Sequence, residues 1–286
     1  MKKKLLAALL ATAMTVTMFA GCGTPGSKDS KKDDSSASSG KKRITYTLRE
    51  DLPSMDPQNS NSISCATAEI CTYAMLTRNV EGEIKPDAAE SWDISDDGLT
   101  YTFHLRDGIK WSDGKDVTAG VFEYAWKRLV DPATAADYSY MLDSVVNANE
   151  IIAGEKDASE LAAKAVDDKT FEVTITTDVP YFEEICAFPA TMPVRQDIIE
   201  EKGDQWTFDP STYISNGPYK LTEWTHNSQI VMAKNENYYD YENLGPDTIT
   251  FKLMDDSNAM LSGFKSGELD FIQDAPQAEL PGLIAS

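Results

Sequence analysis

Apolar and polar residues alternate along several short stretches of this chain, and each such stretch predicts a half-buried strand. Residues 44–48 alternate in this way. Tyr101, Phe103 and Leu105 alternate with Thr100, Thr102, His104 and Arg106, and Phe171, Val173 and Ile175 alternate with Thr170, Glu172, Thr174 and Thr176. Residues 219–224 and 229–233 flank Thr225-His226-Asn227-Ser228 and predict a hairpin. Ile249, Phe251 and Leu253 mark another strand, and 269–272 a last one. Helical spacing appears over about 66–76, and again after Thr118, a good N-cap. The second helix carries Phe122, Ala125, Trp126 and Leu129 on one side, pairs Glu123 with Lys127 on the other, and stops at Asp131-Pro132. Two more helices are predicted over 194–202, ending at Gly203, and over 257–266, ending at Gly267. Short strands mixed with short helices indicate an α/β (mixed α+β) fold, not a bundle or a sandwich.

The first residues depart from this pattern. Met1-Lys2-Lys3-Lys4 is a basic start, and 5–20 is an apolar stretch broken only by small threonines. Its sixteen residues fall short of a bilayer-spanning helix and suit the core of a signal peptide. The stretch ends in Phe19-Ala20-Gly21-Cys22, and small residues before a cysteine suit a lipoprotein signal peptidase. Residues 1–21 are therefore expected to be a lipoprotein signal peptide, with Cys22 the lipid attachment point, acylated by diacylglycerol and palmitate. Residues 22–43 hold Gly, Ser, Lys and Asp without a large apolar side chain, and are expected to form a flexible tether. The chain would then be anchored to the cell membrane, facing the extracytoplasmic side.

Charge supports this arrangement. The chain carries −21 in all; the first 43 residues carry +6, which leaves −27 on the body. Basic residues would lie by the anionic bilayer and the acidic body clear of it. An acidic body argues against nucleic acid as a partner. Cys65, Cys71 and Cys186 remain after Cys22, an odd count that argues against a disulfide framework. One bridge to Cys186 and three packed thiols are both open, and packing is favoured.

Candidate chemistry is sparse. His104 and His226 lack a sequence-local Ser, Cys or carboxylate at triad spacing. Motifs for phosphate cradling, zinc proteolysis or calcium binding do not occur, so neither an enzyme nor a metal or cofactor is expected. The five tryptophans, at 92, 111, 126, 206 and 224, fall mostly on apolar faces and should pack. Tyr138 and Tyr140 lie in a loop-like run, where a tyrosine can either pack or line a ligand cleft.

SDDGLTYTFHLRDGIKWSDGK, residues 95–115, preceded by Pro86-Asp87-Ala88-Ala89-Glu90-Ser91-Trp92 and followed by Val117-Thr118-Ala119, resembles the signature region of the family 5 extracellular solute-binding proteins. Leu129-Val130-Asp131-Pro132, Val179-Pro180-Tyr181-Phe182, Asn216-Gly217-Pro218-Tyr219, Asn235-Glu236-Asn237-Tyr238-Tyr239 and Ser266-Gly267-Glu268-Leu269-Asp270 continue the match in order. The similarity covers 44–275, and within the family it is nearest to the oligopeptide-binding lipoproteins of ABC importers.

The resemblance implies a periplasmic-binding-protein-like fold of type II, whose two lobes close on an extended peptide by hinge motion. It implies a discontinuous first lobe from 44–73 and 196–286, with 74–195 as an inserted small domain. Asn61, Ser62 and Ile63 would lay a strand edge against the peptide, and Tyr138, Asn216 and Gly217 would face the cleft. The partners implied are an oligopeptide and a membrane-embedded ABC permease, served by a monomer. Relatives that bind nickel complexes, haem or signalling peptides leave those solutes as alternatives, and an extracellular hydrolase as a more distant one. Family members run on for a further stretch that forms the second lobe. The chain is accordingly expected to be an N-terminal fragment, second lobe missing, that alone binds peptide weakly or not at all.

Overall fold

The computed structural model describes residues 42–285. The basic start, the apolar stretch, Cys22 and the tether before Lys42 lie outside the described residues, as does Ser286.

Strand β1 (Arg43–Leu48) leads through a loop to helix α1 (Ile63–Thr72). A small hairpin follows, β2 (Thr77–Val80) and β3 (Glu83–Pro86), and then β4 (Ala89–Ile94) and β5 (Thr100–Leu105). Helices α2 (Ala119–Val130) and α3 (Ala148–Ile152) precede β6 (Ala163–Ala165) and β7 (Thr170–Thr174). Helices α4 (Phe182–Ile185) and α5 (Gln196–Lys202) connect to β8 (Tyr219–Thr225), β9 (Gln229–Lys234) and β10 (Thr248–Leu253). Helices α6 (Ser257–Ser266) and α7 (Leu280–Ile284) complete the described chain.

The strands form two four-stranded sheets beside the β2–β3 hairpin. One runs β1-β10-β9-β8, with β1 parallel to β10 and the others antiparallel. The other is antiparallel throughout, in the order β4-β5-β7-β6. Alternation in β5 buries Tyr101, Phe103 and Leu105, and in β7 it buries Phe171 and Val173. Helix α2 lays Phe122, Ala125, Trp126 and Leu129 against this second sheet. The Trp126 ring meets Phe171 edge-on at 5.2 Å, and Tyr101 meets Phe182 at 4.7 Å. Burying each such side chain contributes about 2–3 kcal/mol, which makes this aromatic cluster the main hold on α2.

Most expected elements form, with informative shifts. Thr118 occupies the N-cap of α2, but its side chain makes no capping bond; its carbonyl accepts from the amide of Val121 at 3.2 Å. Glu123 and Lys127 pair as expected. The helix expected over 66–76 runs instead from Ile63 to Thr72. It starts early because the Ser62 hydroxyl caps the amide of Cys65 at 3.1 Å. It stops early because Tyr73 is extended and Ala74 is held by Asn216. The helix expected from 194 begins at Gln196, since Arg195 is extended. The strand expected over 269–272 does not form beyond a single bridge between Phe271 and Tyr46. There the Asp270 carboxylate takes the amide of Thr45 at 2.7 Å, and a side chain replaces the next rung of the ladder.

Cys65, Cys71 and Cys186 are free thiols; Cys65 and Cys186 are buried and Cys71 half-buried. Trp111, Trp126 and Trp206 are core residues, and Trp92 and Trp224 pack half-buried against the core. No helix among the described residues is long and apolar enough to cross a membrane.

Candidate ligand-binding site

The loop between β1 and α1 is held from below. The Asp56 carbonyl accepts from the amides of Asn59 (2.9 Å) and Ser60 (2.8 Å), closing a turn after Pro57. The buried Asp56 carboxylate meets the Arg128 guanidinium of α2 through two bonds, at 2.8 and 2.5 Å. Gln58 extends the brace. Its amide nitrogen donates to the carbonyls of Ala190 (3.0 Å) and Met192 (3.1 Å), and its oxygen accepts from Arg128 at 2.8 Å. The residues that follow, Asn61, Ser62 and Ile63, are thereby presented on a fixed ledge at the start of α1.

On this ledge a cavity of about 190 Å³ opens, walled by Asn61, Ser62, Ile63 and Ala66 on one side and Tyr138, Phe188 and Pro189 on the other. Ile63 is 80% exposed, which leaves a large apolar side chain at the rim. The Tyr138 ring stands edge-on to Phe188 at 5.1 Å. Asn61 donates from Nδ2 to the Asp137 carboxylate at 2.6 Å, tying the two walls together. The surface is mainly apolar, and Ser60 and Ser62 also line it. Such a lining takes an apolar side chain by shape and fixes orientation with few polar groups.

Four of the residues expected to face a ligand, Asn61, Ser62, Ile63 and Tyr138, are thus brought together around one cavity. Asn216 and Gly217 do not join them. Asn216 is buried, and its amide both accepts from the amide of Ala74 (3.0 Å) and donates to its carbonyl (2.9 Å). Gly217 donates to the carbonyl of Thr72 at 2.7 Å, so close to α1 that a Cβ would overlap the backbone of Thr72 and Tyr73. These two residues dock the start of β8 onto the end of α1. Asp137, Phe188 and Ala190 join the site without a sequence signal, since each is positioned by contacts far along the chain.

Beneath the ledge lies Glu69, fully buried on the inner face of α1. Its Oε2 accepts from the Ser60 hydroxyl at 2.9 Å, and its Oε1 has no hydrogen-bond partner. Burial and the Asp56 charge push its carboxyl up to about 8, against which the Ser60 bond works. A larger cavity, about 480 Å³, lies between the β8–β9 turn, the end of β10 and α6, and none of the expected ligand-facing residues line it. The histidines lie elsewhere. His104 pairs with Asp93 at 2.8 Å, and His226 with Asp51 at 2.9 Å, partners supplied from outside their own turns. Among the described residues no group of His, Cys, Asp and Glu could hold a metal ion.

Comparison with known proteins gives the chain's family. The family model of the bacterial extracellular solute-binding proteins, family 5 Middle, matches residues 83–285. The oligopeptide-binding protein OppA of Bacillus subtilis is 36% identical, over 98% of this chain and 51% of its own. The periplasmic oligopeptide-binding protein OppA of Salmonella typhimurium is 35% identical, over 84% of this chain and 44% of its own. Among solved structures, Haemophilus influenzae OppA in complex with RPPGFSPFR superposes with a TM-score of 0.82 at 34% identity, over 85% of this chain and 48% of that one. Listeria monocytogenes OppA bound to peptide gives 0.78 at 34% identity, over 81% and 46%. The chain spans about half the length of the curated relatives it matches. These relatives are solute-binding proteins and not enzymes. The chain belongs to the bacterial extracellular solute-binding proteins of family 5.

Proposed function

We propose that this chain is the ledge-bearing part of an extracytoplasmic receptor that binds oligopeptides and delivers them to an ABC permease. The observation that carries the reading is the convergence of Asn61, Ser62, Ile63 and Tyr138 on one apolar cavity, two of whose walls are joined by Asn61 and Asp137. An extended peptide can add its backbone to the 61–63 segment and place one side chain in the cavity, while water fills what the side chain leaves. The relatives named as oligopeptide- and dipeptide-binding proteins support this choice of ligand.

In this reading 44–73 and 196–286 form a first lobe and 74–195 an inserted small domain. The make-up of the sheets supports it: one is built from 43–48 and 219–253, the other from 89–174. Cys22 would anchor the receptor by lipid, and the tether would hold it beside its permease. Relatives named for deoxycholate and for a pheromone favour a second reading, the same scaffold with another solute.

Thermal protection by a random peptide mixture, compared with nickel, haem and deoxycholate, separates the two. Peptides should raise the unfolding temperature and come back intact from the bound fraction. Protection by another solute alone would transfer the site to that solute, and cleaved peptides would make the protein a hydrolase.

A further inference from the structure

A further cavity adjoins the one on the ledge. It holds about 350 Å³ between the turn at Ser139–Leu142 and helix α4, and Phe188 lines both cavities. Tyr138 of the ledge cavity and Tyr140 of this one stand 6.0 Å apart, ring centre to ring centre. In an extended peptide, residues i and i+2 point to one face about 6–7 Å apart. Two cavities that share one aromatic wall therefore suit alternate side chains of a single strand.

The lining is unlike that of the ledge cavity. Val179 and Ile185 supply an apolar wall, and Tyr140 and Tyr181 are each 57% exposed. Asp143 and Glu184 add two exposed carboxylates, neither of which makes a hydrogen bond or ion pair among the described residues. The stretches that wall the cavity, 132–155 and 170–194, hold four acidic residues each and no Lys, Arg or His. Ser144 lines the cavity too, and its buried hydroxyl has no hydrogen-bond partner, a vacancy that a polar ligand group can fill.

We propose that this cavity is a second side-chain site for the bound peptide, selective for a lysine or arginine two residues from the side chain held on the ledge. This rests on the reading that the ledge binds peptide. A basic side chain is matched along its whole length. Its methylene stem covers Val179, Ile185 and Phe188, and its charge reaches Asp143 and Glu184, whose field no cation of the wall offsets. The exposed tyrosine rings offer further surface to a cation, and the Ser144 hydroxyl can accept from it on turning about χ1. A glutamate would meet only like charge, and an apolar side chain would leave both carboxylates unpaired. Because these carboxylates are exposed, the preference is about one order of magnitude and weakens with salt.

A pentaalanine series tests this, with one lysine, norleucine or glutamate placed at each position in turn. Saturation-transfer NMR reads the affinities, since it detects complexes as weak as millimolar. At one position lysine should bind about tenfold more tightly than norleucine, with glutamate weakest. That ratio should shrink several-fold between about 20 mM and about 0.5 M salt. In the D143N/E184Q variant the lysine-to-norleucine ratio at the same position should fall to about twofold or less. Equal affinity for lysine and norleucine at every position of the wild type overturns the proposal, whether or not the variant folds. Tighter binding of norleucine also overturns it and would make the cavity an apolar site. A lysine preference that survives in D143N/E184Q overturns the assignment to this cavity. Failure of every peptide in the series to bind is a different result, because it removes the peptide reading itself and this site with it.

Discussion

Asn61 and Asp137, 76 residues apart in sequence, meet through a 2.6 Å hydrogen bond that closes the rim of the candidate site. The bond is exposed, so its contribution to stability is small, about 1 kcal/mol or less. Its contribution to the site is geometric, since Asp137 immediately precedes Tyr138. Asp137→Ala is expected to leave the unfolding temperature within a few degrees of wild type while weakening peptide capture several-fold. Equal loss in Asn61→Ala and in the double substitution would show that the two act as one unit.

The brace under the ledge should behave differently. Asp56 and Arg128 are both largely buried, and each satisfies the other. Arg128→Met leaves the Asp56 carboxylate buried and unpaired, and is expected to cost about 3–5 kcal/mol in urea unfolding. Asp56→Asn combined with Arg128→Met should recover part of that loss. A single substitution costing less than about 1 kcal/mol would mean that the brace is not what holds the loop.

Gly217 gives a test of packing against ligand contact. A methyl group there has no room against Thr72 and Tyr73. Gly217→Ala should destabilise the protein by about 1–3 kcal/mol through displacement of β8 from α1. Loss of peptide capture with unchanged stability would return Gly217 to a ligand-facing role.

Acid stability should depend on Asp197. Its bonds from Arg195 at 2.6 and 2.7 Å hold its carboxyl well below the usual range, with Lys115 adding to the effect. A carboxyl lowered on folding contributes fully above its unfolded value and loses that contribution as pH falls through the folded one. The stability difference between wild type and Asp197→Asn should therefore be present at pH 6 and shrink below about pH 4. A difference that is constant down to pH 2 would contradict this assignment.

What could be read from the chain follows from how local the cause is. Alternation in β5 and β7, the apolar side of α2 and the Gly267 stop of α6 are short-range and form as expected. The β2–β3 hairpin was not legible. Its strands are too polar to alternate, and its turn rests on positive φ at Glu81 and Gly82. The start of α1 was misplaced by three residues because Ser62 and Cys65 define it through one side-chain bond. At the site, Asn61 to Ile63 and Tyr138 came from family resemblance, while Asp137 and Phe188 had no signal in their own neighbourhoods. Asn216 looks available in sequence, and only the fold shows its amide spent on Ala74.

Photocrosslinking with peptides that carry a benzophenone side chain, followed by mapping of the adducts, tests the peptide-binding ledge most directly, because it captures weak complexes as well as tight ones. Adducts should fall on Ile63, Ala66, Tyr138 and Phe188, and should be competed away by unlabelled peptide. Adducts confined to the larger cavity by α6, or labelling that unlabelled peptide does not reduce, would contradict it.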